Sequence, residues 1–300
     1  MPQKTFAVLG GDMRQAHLVS ALSSRADNCA IYAMFLEKGV KPRGKIESTS
    51  DVQAVLPGCD VVILPLPLLG GDGGINTPLS GHTLPLDECL RYISPRAVAF
   101  AGKIPPQASA SARSRGIELI DYLEREELSV LNALSTAEGA IEIALRELPI
   151  TLFEANCMIT GYGRIGKVLS RLLRAFGAKV SVVARGCDDL AWIRANGLRA
   201  LHLSRMSTHL PQVDIIFNTV PEMLFVEDKL ALLHRRCLII DLASQPGGVD
   251  FNAANSLGLR TVHALSLPGK VAPESAGKII LDTIFNILHE RGSHTCQAQP

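Results

Sequence analysis

A glycine pattern places the strongest limit on what this chain can fold into. Gly161, Gly163 and Gly166 stand in the run Gly161-Tyr162-Gly163-Arg164-Ile165-Gly166. Just before it, Cys157 to Thr160 is a short apolar run that suits a buried strand. Just after it, Ile165, Val168, Leu169, Leu172, Leu173 and Phe176 recur at helical spacing, with Gly177 as a stop. In such a strand–turn–helix unit the first glycine makes the tight turn. The second lets the backbone approach a pyrophosphate, and the third lets helix and strand pack closely. The N–H groups at the helix start then hold phosphate oxygens.

The following strand bears on which dinucleotide is bound. Lys179 to Ala184 is the natural second strand of the unit. An NAD site places an acid about 20 residues past the glycines to bond the ribose 2′-OH. Here that place holds Ala184, followed by Arg185. A small residue leaves room for a 2′-phosphate and a guanidinium pairs with it, which favours NADP over NAD. The alternative for Arg185 is a solvated loop arginine. Asp188 and Asp189 fall past the strand end and read as the cap of the next helix.

Three hundred residues, 47% of them hydrophobic, suffice for two domains with full cores. Thirty basic against 29 acidic residues, with no basic stripe, argue against a nucleic-acid partner. No membrane span is expected, because the apolar run 61–69 is broken by Pro65 and Pro67. Seven scattered cysteines without a C-x-x-C suggest reduced thiols in a cytoplasm. The eight histidines show no ligand spacing, so no metal is expected.

Apolar runs alternating with helical patterns predict an α/β chain with doubly wound parallel sheets. In the first half, strands are expected at 6–9, 30–35, 60–64, 97–100 and 117–120. A helix is expected from Met13 to Leu22, and the glycine-rich stretch 70–82 reads as a mobile loop. A helix opening at Ser135-Thr136-Ala137-Glu138-Gly139 marks the join between a domain of residues 1–134 and one of 135–300. The last helix, about 275–290, is a candidate to pack back on the first domain, and the tail from Gly292 reads as frayed.

Other residues are candidates for the site. Thr219, Val220 and Pro221 end a strand where a doubly wound sheet faces its cofactor, or form a plain turn. Ser244 lies in the loop after Asp241, whose carboxylate is suited to fixing that loop. Gly10-Gly11-Asp12-Met13-Arg14-Gln15 is a polar cluster at a strand end. There Arg14 is a candidate clamp for a carboxylate and Asp12 a neighbour in the same site, or else a helix cap. Ser275 opens the last helix, where exposed amides suit a carboxylate. His82 and His263 are alternatives for moving protons, or are structural.

Together GGDMRQ, STAEGAIEIAL, GYGRIGKVL, NTVP, DLASQPGGVDF and LPGKVAPESAGKII resemble the dipicolinate synthase A-subunit family over Gly10 to about Ile280. The DLASxPGGxDF and LPGxVAP runs are the specific part of that likeness. The resemblance implies two Rossmann-like domains flanking a cleft, as in 2-hydroxyacid and alanine dehydrogenases. It implies NADP-dependent oxidation of dihydrodipicolinate to pyridine-2,6-dicarboxylate in the mother-cell cytoplasm of a sporulating bacterium. A flavoprotein-like B subunit would act with the chain, and a homo-oligomer is compatible. The family pattern has a basic residue where Gln245 stands, so a substrate carboxylate would fall to another group such as Arg14. Glu138 is the candidate proton acceptor, or a hinge residue. A generic 2-hydroxyacid or amino-acid dehydrogenase and a non-catalytic NADP-binding partner protein remain the alternatives.

Overall fold

The computed structural model describes residues 4–25 and 29–297, and the side chains through residue 292. Of the tail expected to fray, 298–300 lie outside the described residues, as does the Cys296 side chain. Two compact units emerge: residues 1–129 with 272–300, and residues 130–271.

The N-terminal unit begins with β1 (Thr5–Leu9), α1 (Met13–Arg25) and β2 (Ala30–Met34). It continues through β3 (Ile46–Thr49), α2 (Val52–Val55), β4 (Val61–Ile63), α3 (Leu86–Tyr92), β5 (Val98–Ala101), α4 (Pro106–Ser114) and β6 (Glu118–Asp121). The strands form one sheet in the order β3-β2-β1-β4-β5-β6, and each pairing is parallel. Helix α5 (Glu126–Glu147) leads out of this unit.

The second unit carries β7 (Asn156–Thr160), α6 (Arg164–Ala175), β8 (Lys179–Ala184), α7 (Cys187–Ala195) and β9 (Arg199–His202). Then come β10 (Ile215–Asn218), α8 (Glu227–Leu230), β11 (Leu238–Asp241), α9 (Phe251–Ser256), β12 (Arg260–His263) and α10 (Leu267–Val271). Its sheet runs β12-β11-β10-β7-β8-β9, again parallel. Counted from each unit's first strand, both sheets have the same doubly wound order, 3-2-1-4-5-6. Helix α11 (Pro273–Gln297) returns the chain to the N-terminal unit, where it packs on α1.

The strands are apolar on both sides because helices cover both faces. Along β7, Cys157 and Ile159 enter one core while Met158 enters the other. In β10, Ile215 and Phe217 oppose Ile216 in the same way. Phe217 is fully buried, a burial that contributes about 3 kcal/mol. In the first unit Ala7 and Leu9 face one core, Phe6 and Val8 the other. Helix α6 stops by a local rule. Gly177 adopts φ +78°, its N–H donates to the Arg174 carbonyl, and Ala178 N–H donates to the Leu173 carbonyl. These are the two bonds of a glycine-terminated helix end.

Several local expectations are corrected. The helix expected to open at Ser135 begins at Glu126, and Thr136 lies inside it with its Oγ1 donating to the Asn132 carbonyl. Helix α5 is long and apolar enough on composition to cross a bilayer, yet half of that stretch is buried inside the fold. Asp188 and Asp189 do not cap α7. Gly186 is the cap, and the two acids sit in the first turn. The segment 70–82, expected to be mobile, is tied down by a Leu69–Ile75 bridge and by Gly11 N–H donating to the Asn76 carbonyl at 2.7 Å. The chain from Gly292 is helical through Gln297.

Candidate functional site

The glycine turn of the second unit is built as three different constraints. Gly161 has φ +92°, and a Cβ there would stand 2.5 Å from Thr219 Oγ1. A Cβ on Gly166 would stand 2.2 Å from the Gly161 carbonyl oxygen, so helix and strand meet there at backbone distance. Gly163 differs: its Cβ would meet nothing within 4 Å. It caps α6 with no side-chain bond to the helix start, and the first turn carries no acid. The position therefore presents bare backbone amides and a positive helix end to an anion.

A buried polar network holds the strand ends around this turn. Thr160 Oγ1 donates to Asn218 Oδ1 at 2.6 Å, and Asn218 Nδ2 donates to Asp241 Oδ1 at 2.8 Å. Thr219 Oγ1 donates to the Thr160 carbonyl at 2.7 Å. Asp241 also accepts from Ala243 N–H at 3.1 Å and Gly248 N–H at 2.9 Å. Thr160, Asn218 and Asp241 are buried. The carboxylate thus fixes the loop that carries Ser244 and Gln245, both exposed at its tip beside a cis Gln245–Pro246 bond.

A cavity of about 270 Å³ opens beside the turn. Gly161, Tyr162, Ala184, Arg185 and Val220 line it, together with Glu222. Arg185 is exposed and its Nη1 lies 3.2 Å from Glu222 Oε2. Glu222 was not singled out in the sequence; its one signal is its place directly after Asn218-Thr219-Val220-Pro221. Tyr162 is buried, which pushes its phenol upward. Lys167 Nζ stands 5.7 Å from its ring centre. Arg164 and Ile165 lie in the first turn of α6.

The remaining candidates are placed as follows. Arg14 is 8% exposed. Its Nε and Nη2 donate to Asp12 at 2.9 and 2.8 Å, and Nη2 donates to the Leu66 carbonyl at 2.6 Å. Asp12 also accepts from Arg14 N–H at 3.0 Å. Asp12 therefore faces Arg14 and the start of α1, and only Nη1 of Arg14 has no partner among the described residues. Gln15 and Tyr122 are buried on the same strand edge, both donating to the Leu64 carbonyl. Gln15 belongs to the polar cluster read from the sequence, whereas Tyr122 was not foreseen there. Ser275 lies exposed in the first turn of α11, beside Glu274, whose carboxyl Lys278 holds below its ordinary value. Glu138 is exposed on α5. His82 and His263 are exposed, the latter 5.1 Å from the Phe251 ring centre. Burial raises the thiols of Cys59 to about 11 and of Cys89, Cys157 and Cys237 to about 12, so they stay protonated.

The sequence model for the N-terminal domain of the dipicolinate synthase A-subunit matches residues 5–123. The dipicolinate synthase A-subunit of Bacillus subtilis (strain 168) is 31% identical over 286 residues, covering 95% of both chains. This chain belongs to the dipicolinate synthase A-subunit family. The crystal structure of the Bacillus halodurans member superposes with a TM-score of 0.88 at 28% identity, covering 99% of this chain and 98% of the other. A transhydrogenase from Sinorhizobium meliloti shares the fold at a TM-score of 0.68 and 14% identity, over 95% and 94% of the two chains. The family likeness spans both units, and the fold is the α/β, Rossmann-like one expected from the sequence.

Proposed function

We propose that the chain oxidises dihydrodipicolinate to pyridine-2,6-dicarboxylate with NADP⁺, acting with a flavoprotein-like second subunit in the cytoplasm of a sporulating bacterium. The observation that carries the dinucleotide part is Gly163: a helix start with no cap, no acid and no neighbour where a side chain would stand. The residues present fit the pyrophosphate, with Gly161, Tyr162, Gly163, Arg164, Ile165 and Gly166 forming its turn. Thr219, Val220, Pro221 and Ser244 border it. Ala184 leaves room at the ribose and Arg185 supplies the cation for a 2′-phosphate. Glu222 must release Arg185, or share it, for that contact to form.

A bound nicotinamide coenzyme would supply the hydride acceptor for the ring carbon, and aromatisation would favour the transfer. The chain's own work is to orient a dicarboxylate and receive the proton that leaves. Arg14 Nη1 and the amides at the start of α11 near Ser275 are the proposed carboxylate holders, with Asp12 orienting Arg14. Glu138 is the proposed proton acceptor. Its exposure equally suits a hinge residue, and Glu138→Gln separates the two roles. A base leaves a pH-dependent loss of turnover with coenzyme binding intact, whereas a hinge residue does not shift the pH profile.

The test mixes the purified chain, with and without the second subunit, with fresh dihydrodipicolinate and NADP⁺. NADPH formation by the chain alone supports the proposal. NADP⁺ binding without turnover in either mixture overturns it, and leaves the non-catalytic partner reading.

A further inference from the structure

We infer that the groove between α6 and α7 is the surface on which an acidic face of the second subunit docks; this rests on the partnership proposed above. Lys167, Arg171 and Arg174 follow at i, i+4 and i+7, so they share one face of α6. All three are exposed and line a cavity of about 380 Å³ with Trp192 and Asn196 of the α7 side. Among the described residues none of the three has a carboxylate partner. Lys167 lies over the Tyr162 ring, and Arg174 Nη1 donates to the Asn196 carbonyl.

Trp192, the chain's single tryptophan, is 64% exposed. Phe153 and Phe176, at the amino edge of the same sheet, are also exposed. A large aromatic left in water beside cations that have no carboxylate partner among the described residues is the composition of an interface centre with a charged rim. Trp192 lies outside the hydrophobic cores of the unit, so core packing does not account for it.

Charge decides the occupant. A second copy seated on this face by a two-fold axis would bring the three cations against themselves, which is repulsive. Three cations on one groove, in a chain of net charge +1, are few for a nucleic acid, whose binding rests on many phosphate contacts. A protein surface carrying two or three carboxylates around an apolar side chain satisfies Arg171 and Arg174 and covers the indole. Tyr162 lines both this groove and the cavity beside the glycine turn, so the docked partner lies next to the coenzyme site.

The experiment measures binding of the full chain to the purified second subunit by calorimetry at low and high salt. Wild type is compared with Trp192→Ala, with Arg171→Glu/Arg174→Glu, and with Arg205→Glu as a control elsewhere on the unit. Trp192→Ala is expected to weaken binding roughly 30-fold. The double reversal is expected to weaken it about 100-fold and to remove most of the salt dependence. Arg205→Glu should bind as wild type, and NADP⁺ binding by every variant shows that the unit is folded. If wild type binds and the groove variants bind equally well, the surface assignment is overturned while the partnership stands. If wild type shows no binding to the second subunit, the partnership is overturned and this inference with it. Wild-type self-association that the groove variants abolish would assign the face to a second copy and overturn the proposal. Competition by duplex DNA for the groove would overturn it likewise.

Discussion

The two units share a strand order, yet their first strand–helix turns are finished in opposite ways. In the N-terminal unit the turn is closed from within. Gly11 N–H donates to the Asn76 carbonyl, and a Cβ on Gly11 would stand 2.3 Å from Gln15 Cγ. Asp12 puts a carboxylate at the start of α1 and clamps Arg14. In the second unit Gly163 has no neighbour within 4 Å of its Cβ position and no capping side chain. The difference teaches that the doubly wound order supplies a helix start at the carboxyl edge, but not a phosphate site. The site exists only where the protein leaves the amides of that start unspent and uncharged.

The comparison can be broken first at the second turn. Gly163→Asp places a carboxylate where the pyrophosphate is proposed to lie. It should raise the Kd for NADP⁺ roughly 1,000-fold, about 4 kcal/mol, while the fold survives because the added atoms meet open space. Unchanged binding by calorimetry would remove the glycine turn as the coenzyme site. Gly11→Ala should do the reverse. It strains a φ of +88° and collides with Gln15, costing about 3 kcal/mol in urea unfolding with no change in NADP⁺ affinity.

A second contrast lies in how the strand edges are held. The N-terminal edge uses neutral and cationic donors on the Leu64 and Leu66 carbonyls. The second uses the buried carboxylate of Asp241. Asp241→Ala strands the amides of Ala243 and Gly248 and leaves Asn218 Nδ2 with the Val220 carbonyl alone, and should lower stability by about 3 kcal/mol; a loss under about 1 kcal/mol would show that the network is dispensable. Smaller effects are expected at the coenzyme rim. Glu222→Gln frees Arg185 and should improve NADP⁺ over NAD⁺ affinity about 5-fold, whereas Arg185→Ala should lose about 10-fold in that ratio. Equal ratios in all three proteins would end the 2′-phosphate assignment.

The smallest effect concerns acid stability of the N-terminal unit. Arg125 bonds Glu127 and, bidentately, Glu290 of α11. Its guanidinium holds the Glu127 carboxyl below the ordinary value of 4.5. A lowered folded value means that the contribution is complete above about pH 4.5 and is lost as pH falls through the folded value. Because these groups are partly open to solvent, Glu127→Gln should cost no more than about 1 kcal/mol at neutral pH and flatten that part of the acid limb. An identical acid profile for the variant would show that the bridge adds nothing.

Much of the architecture was legible along the chain. Strands β7 and β8 and the start of α6 were readable because their signals are local: apolar runs, three spaced glycines and a helical period. Other signals misled. Ser135-Thr136 looked like a helix start, but Thr136 turns its hydroxyl back to the Asn132 carbonyl, and Leu128 and Ala133 are buried in the preceding turns. Strand β3 passed unnoticed because Ile46-Glu47-Ser48-Thr49 is a polar edge strand without a continuous apolar run. That Tyr122 and the Leu64 carbonyl join Arg14 and Gln15 was illegible, since the bonded partners stand 49 and 58 residues apart along the chain.

What the sequence alone determined is the class of fold and the location of one helix start suited to phosphate, because glycine geometry and hydrophobic period act over a few residues. Only the tertiary structure decided how each charge is spent. Asp12 is turned onto Arg14, Asp241 is buried to hold a loop, Glu222 faces Arg185, and Arg171 has no carboxylate partner among the described residues. Charge–charge contacts depend on which distant side chains are brought within a few ångströms and out of water, and no local pattern encodes that.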